Sequence, residues 1–152
     1  MQGRITFLRD SAQLPLAEIQ ARECPLELVV PYTNAALAAR ALAAAPELAR
    51  GFEAVVTLMA VYVIPYPSPL ECQAGIRKRL EAELTSVART SPAAIRVKLV
   101  FARNREDAYL GLLKRRSLVV IGTKDRWWRT REERLARRLT AGGHSVAVLK
   151  VR

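Results

Sequence analysis

A chain of 152 residues that is 51% hydrophobic is long enough for one domain around a single core and too apolar for a disordered polymer. Its formal charge of +11 favours anionic partners, and twelve lysines and arginines between Lys114 and Arg152 face only Asp125, Glu132 and Glu133, so most of the excess is local. Cys24 and Cys72 have neither a pairing pattern nor metal-ligand spacing, the first ten residues hold too short an apolar run for a secretory signal, and Ala54 to Ile64 is too short to span a bilayer. A cytoplasmic protein with two free thiols and no transmembrane segment is expected.

Residues 1–25 read as an N-terminal arm that packs on the domain or on a second subunit. Arg4 to Leu8 suits a short strand and Leu16 to Arg22 a helical turn or two, with Pro15 and Pro25 interrupting both. Leu26 to Tyr32 is the first clear strand, and its continuous Leu28, Val29 and Val30 suit a strand covered on both faces. Thr33 and Asn34 can cap an alanine-rich helix over Ala35 to Ala45, where Pro46 is expected to kink the chain into a further turn ending at Gly51. Phe52 to Ile64 is the second strand, followed by a loop with three prolines, Pro65, Pro67 and Pro69.

Ile76, Leu80, Leu84 and Val87 mark one face of a second helix. Ile95 to Val100 alternates apolar with charged residues, the pattern of an edge strand. Asn104 begins a third helix, with Glu106 and Asp107 near its start and Lys114, Arg115 and Arg116 near its end, an order that complements the helix dipole. Ser117 to Ile121 is a fourth strand. Thr130 and Glu133 stand at capping-box spacing before a helix with Leu135 and Leu139 on one face, a stripe of Arg131, Arg134 and Arg138 beside it, and Gly142 as terminator. Ser145 to Val151 is the fifth strand. Strands alternating with helices imply right-handed crossovers and a single-domain, three-layer, doubly wound α/β sandwich with a mainly parallel sheet.

In such a sheet, ligands bind where loops leave the carboxyl ends of strands, so Gly122 to Thr130 is the first place to look for a site. Lys124, Arg126, Arg129 and Arg131 surround a helix start whose free N–H groups favour an anion. Trp127 or Trp128 can stack a base or pair with an arginine; the competing reading has one tryptophan filling the cleft and the arginines forming a solvated face. Enzyme chemistry is not expected: His144 is the only histidine and precedes the last strand, and no Walker loop, Gly-x-Gly-x-x-Gly or nucleophile elbow is present.

Leu28-Val-Val-Pro-Tyr-Thr, the apolar run from Leu58 to Pro65, Leu118-Val-Val-Ile-Gly and Ser145-Val-Ala-Val-Leu resemble the corresponding segments of universal stress proteins, over residues 26–152. The resemblance implies a five-stranded sheet in the order 3-2-1-4-5 with four helices, and a homodimer through the C-terminal strand. It also implies a site for ATP or another adenine nucleotide. The family's aspartate after the first strand falls on Thr33; of its Gly-x2-Gly-x9-Gly-Ser/Thr loop, the first glycine falls on Gly122, the second on Asp125, and the third has no counterpart. Pro31, Val63 and Ile121 occupy positions that resemble the adenine-side contacts. Candidate nucleotide- or anion-binding residues are therefore Pro31, Thr33, Val63, Ile121, Gly122, Lys124, Arg126, Thr130 and Arg131. Without the glycines and the carboxylate, a non-catalytic stress-type regulatory protein with weak or lost ATP binding is expected. The alternative is a basic adaptor that holds nucleic acid or an acidic protein through its C-terminal third.

Overall fold

The computed structural model describes residues 5–8, 25–71, 73–115, 117–126 and 129–151. In chain order these form β1 (Ile5–Leu8), β2 (Leu26–Pro31), α1 (Ala35–Leu48), β3 (Ala54–Val63), α2 (Ala74–Ala88), β4 (Ile95–Ala102), α3 (Arg105–Leu112), β5 (Ser117–Lys124), α4 (Arg131–Ala141) and β6 (Ser145–Val151). Cys24, Cys72, Arg116, Trp127, Trp128 and the helical turn expected over Leu16 to Arg22 lie outside the described residues.

Side-chain alternation along the strands builds the layers. Leu28 and Val30 point to one face of β2 and join Leu58, Val97 and Val120 beneath α1 and α2. Val29 points the other way and joins Val61, Val119 and Ile121 beneath α3 and α4, where Tyr109, Leu135 and Leu139 close the second core. Both faces of the central strands are dry, which is why their sequences read as continuous apolar runs. On the first face α1 contributes Ala38, Ala41 and Ala45, small residues that let the helix axis come close to the sheet.

All strand pairs are parallel, in the order β1-β4-β3-β2-β5-β6. Strands β2 to β6 reproduce the expected 3-2-1-4-5 arrangement with its four helices, and β1 adds a sixth strand. It pairs with β4 from Ile5 opposite Ile95 to Leu8 opposite Lys98, so part of the N-terminal arm belongs to the sheet. This corrects the edge assignment of β4. Its alternation has another cause: Ile95, Val97 and Leu99 enter the core under α1 and α2, while Arg96 and Lys98 take the opposite face.

Two helix expectations are also corrected. The α1 helix runs through Pro46 without ending there. The proline sits in the last turn, so its missing N–H removes one ladder bond, while buried Leu42 and Ala45 and the Ala49 amide on the Ala45 carbonyl (3.0 Å) hold the turn together. Gly51, at φ +86°, then reverses the chain. Helix α3 stops at Leu112, so Lys114 and Arg115 lie beyond it, and Lys114 instead stands 3.8 Å from the Glu27 carboxylate. Among the described residues, no helix is long and apolar enough to cross a membrane.

Candidate functional site at the carboxyl ends of the strands

From β2 the chain crosses through α1 toward β3, and from β5 it crosses through α4 on the opposite face toward β6. The two crossovers diverge at neighbouring strands, and that divergence opens a crevice at their carboxyl ends. The loop expected over Gly122 to Thr130 is shorter than its sequence suggested. Gly122, Thr123 and Lys124 belong to β5, paired with Leu149, Lys150 and Val151, and the Asp125 amide donates to the Val151 carbonyl at 3.2 Å.

The structure separates the candidate residues. Gly122 is buried, and a Cβ placed on it would stand 2.7 Å from the carbonyl oxygen of Leu37. Its missing side chain therefore admits α1 against β5, a packing role that a glycine read in isolation does not reveal. Pro31, buried opposite Met59, and Ile121, 1% exposed in the core under α3 and α4, are likewise core residues. Thr33 is half-buried in the turn before the α1 cap, where Asn34 Oδ1 accepts the Leu37 amide at 3.1 Å. Thr123 Oγ1 is buried at the end of β5 with no hydrogen-bond partner among the described residues.

Thr130 is a helix cap: its hydroxyl oxygen accepts the Glu133 amide at 3.2 Å. Thr130→Ala should lower stability by about 1 kcal/mol in urea denaturation, and Thr130→Asn should restore most of it. Equal stability of all three proteins would show that the cap is dispensable.

Among the described residues, two depressions bear on the site. The first, of about 320 Å³, lies between the start of α1 (Ala36, Leu37, Arg40) and the ends of β5 and β6 (Lys124, Asp125, Arg126 and Val151). The second, of about 380 Å³, lies between the starts of α3 and α4. It is lined by Val63, by Arg103 to Glu106 around the start of α3, and by Arg131 and Arg134 of α4. The predicted cluster is thus divided, with Lys124 and Arg126 in the first depression and Val63 and Arg131 in the second.

Arg40, Arg103 and Arg105 escaped the sequence reading as site residues. For the last two a signal existed, since they flank the Asn104 cap at the end of a strand. Arg103 is held in place: its guanidinium donates to the carbonyls of Ile64 (3.0 Å) and Pro65 (3.1 Å) and lies 4.0 Å from the centre of the Tyr66 ring. The Asn104 side chain accepts the Asp107 amide at 3.0 Å, which starts α3. Arg138 reaches Asp107 at 3.5 Å and bridges the two helices.

Two tyrosines have hydroxyls pushed above the ordinary range, and both line neither depression. Tyr32 is raised mainly by burial, reinforced by its hydrogen bond to the Glu83 carboxylate and by that charge. Tyr109 is raised by burial against the opposing influence of Arg105 and the Val61 backbone. His144 sits in the turn after α4, where its amide donates to the Leu139 carbonyl at 3.1 Å. Among the described residues, no group of three or more His, Cys, Asp or Glu side chains is placed to hold a metal ion.

No family model matches the chain, and no curated protein matches it. Its structure is similar to that of a universal stress protein from Archaeoglobus fulgidus, with a TM-score of 0.60 and 18% identity over 82% of this chain and 93% of that one. It is also similar to a universal stress protein in complex with cAMP, with a TM-score of 0.50 and 18% identity over 83% of this chain and 97% of that one. At this identity the likeness shows the fold: the chain has the α/β architecture of universal stress proteins.

Proposed function

We propose that this chain is a non-catalytic, cytoplasmic regulatory protein of the universal stress type, that it works as a homodimer paired through β6, and that its binding of ATP is weak or lost. The observation that carries the reading is the filled end of β5. Leu37 occupies the open side of Gly122, and the Asp125 amide is already engaged by Val151. One backbone amide that a glycine-rich loop would turn toward phosphates, that of Asp125, is here spent inside the fold, and Asp125 adds a repelling charge. The cAMP complex of a neighbour with the same fold supports an adenine nucleotide as the ligand class where binding persists.

The dimer reading rests on β6, which ends the sheet order and carries Val148 at 44% exposure among half-buried Val146, Ala147, Leu149 and Val151. Native mass spectrometry with and without ATP and magnesium tests both parts. A dimer without retained nucleotide is expected, and Val148→Lys should convert it to monomer. One adenine nucleotide retained per subunit would overturn the loss of binding, and an intact Val148→Lys dimer would exclude the β6 seam.

A second reading is favoured by the outer face of α4. Arg131, Arg134, Arg137 and Arg138 are all exposed there, and only Arg138 has an ion pair among the described residues. This face suits a basic adaptor for nucleic acid or an acidic protein, whose affinity should fall steeply with salt.

A further inference from the structure

We infer that the outer face of α4 docks the phosphate backbone of a nucleic-acid duplex. The inference rests on the basic-adaptor reading and gives that adaptor one partner. Most of the excess charge lies on one side of the sheet. Residues 32–92, which carry α1 and α2 on the first face, hold six lysines and arginines against five acids, a net charge of +1. Residues 103–151, which carry α3 and α4 on the second face, hold thirteen against five, a net charge of +8. A field of one sign over one face draws in an extended polyanion.

On α4 the cations are also ordered. With about 100° between successive residues of a helix, Arg134, Arg137 and Arg138 fall within an arc of about 100°, opposite buried Leu135, Ala136 and Leu139. Arg131 extends the row to about 10 Å of helix axis. A duplex carries one phosphate about every 1.7 Å of its own axis, so that length meets about six of them. All four side chains are exposed, and Arg134 and Arg137 have no ion pair among the described residues. The Arg138 pair with Asp107 joins two side chains that are each more than half exposed, so a phosphate can replace the carboxylate at little cost. The planar guanidinium fork takes two phosphate oxygens at once.

The rest of the face selects among polyanions. The large apolar residues exposed among the described residues are Leu48, Phe52, Val63, Tyr66 and Val148, and none of them lies on α4. An acidic protein is held at its interface by an apolar or aromatic centre, and a single strand by rings on which its bases stack. The outer face of α4 offers neither, whereas a duplex presents phosphates alone to such a row. Arg137 and Arg138 line neither depression, so this surface is separate from the crevice and holds where ATP binding is weak or lost.

Fluorescence anisotropy of a labelled DNA duplex of about 20 base pairs with the full chain, at salt from about 50 to 300 mM, tests the surface. Four phosphate contacts give an expected slope of log affinity against log salt of about −3.6. Arg134→Gln with Arg137→Gln should bring the slope to about −1.8 and lower affinity about 100-fold at the lowest salt. Lys78→Gln with Arg79→Gln, the same charge change at exposed positions of α2, should leave both unchanged. Thermal melts confirm that each variant is folded before titration. An unchanged slope in the α4 variant, or an equal loss in the α2 variant, would overturn the surface. ATP at matched ionic strength should leave the duplex bound; displacement by ATP would put the contact in the crevice and overturn it too. Tighter binding of poly-glutamate or of oligothymidylate would refute the duplex and leave the adaptor reading standing. Binding of none of the three would remove the adaptor reading as well, while the β6 dimer is read separately by mass spectrometry.

Discussion

Gly122→Ala is expected to destabilise the domain by about 2–3 kcal/mol, because an added methyl would overpack a contact that has no free space. The new Cβ would meet the Leu37 carbonyl oxygen at 2.7 Å and the Leu37 Cβ at 3.3 Å. The closest atom is backbone, so no rotamer change relieves it. Helix α1 must lift, and with it the buried Leu37, Ala38, Ala41 and Leu42 that seat it on the sheet. A melting-point fall of roughly 4–12 °C corresponds to that loss for a domain of this size. Gly111→Ala in α3 is the matched control, since its Cβ would meet nothing within 4 Å and the substitution should stabilise by up to about 1 kcal/mol. The pair also separates two roles for Gly122. A glycine kept for phosphate approach would tolerate alanine in a melt and fail in binding; a glycine kept for packing fails in the melt. Melting of Gly122→Ala together with the unaltered protein would refute the packing role.

Local chemistry was the most legible part of the chain. Asn34, Asn104 and Thr130 announce helix starts because a short polar side chain can accept a free amide within three residues, and each does so. The run Leu28 to Val30 likewise announces a strand buried on both sides. The resemblance to universal stress proteins gave the strand order, which periodicity alone does not contain. What escaped depends on residues distant in sequence. The short strand expected over Arg4 to Leu8 is present as β1, but its pairing with Ile95 to Lys98 is set by contacts far along the chain. Pro46 obeys a local rule until burial of its neighbours outweighs one lost hydrogen bond. Lys124 and Arg131 are close in sequence yet line different depressions, because β5 continues past the expected strand end before the chain turns into α4. Arg103 and Arg105 meet Arg131 and Arg134 only through the packing of α3 beside α4, a juxtaposition that no short window displays.

Tyr109→Ala should cost about 3–5 kcal/mol, as expected when a fully buried ring is removed from a core. Tyr109 is 0% exposed and is the one fully buried residue of the 8-residue α3, with Ala108, Leu110 and Leu112 partly buried against the same core. Its hydroxyl donates to the Met59 carbonyl at 3.0 Å. Tyr109→Phe should therefore cost only about 1 kcal/mol, since the Met59 oxygen keeps the Tyr32 amide at 2.7 Å as a partner. The two variants also differ from the unaltered protein in alkali. Because burial raises the folded pKa of Tyr109 above its unfolded value near 10, its contribution is complete below about pH 10. As pH rises further, the unfolded chain releases this proton and the folded chain retains it, so stability falls with a slope of up to about 1.4 kcal/mol per pH unit from this group. Tyr109→Phe removes that slope while keeping the ring, and urea denaturation between neutral and alkaline pH measures the difference. Parallel stability profiles for the two proteins would show that the hydroxyl is not held protonated by burial.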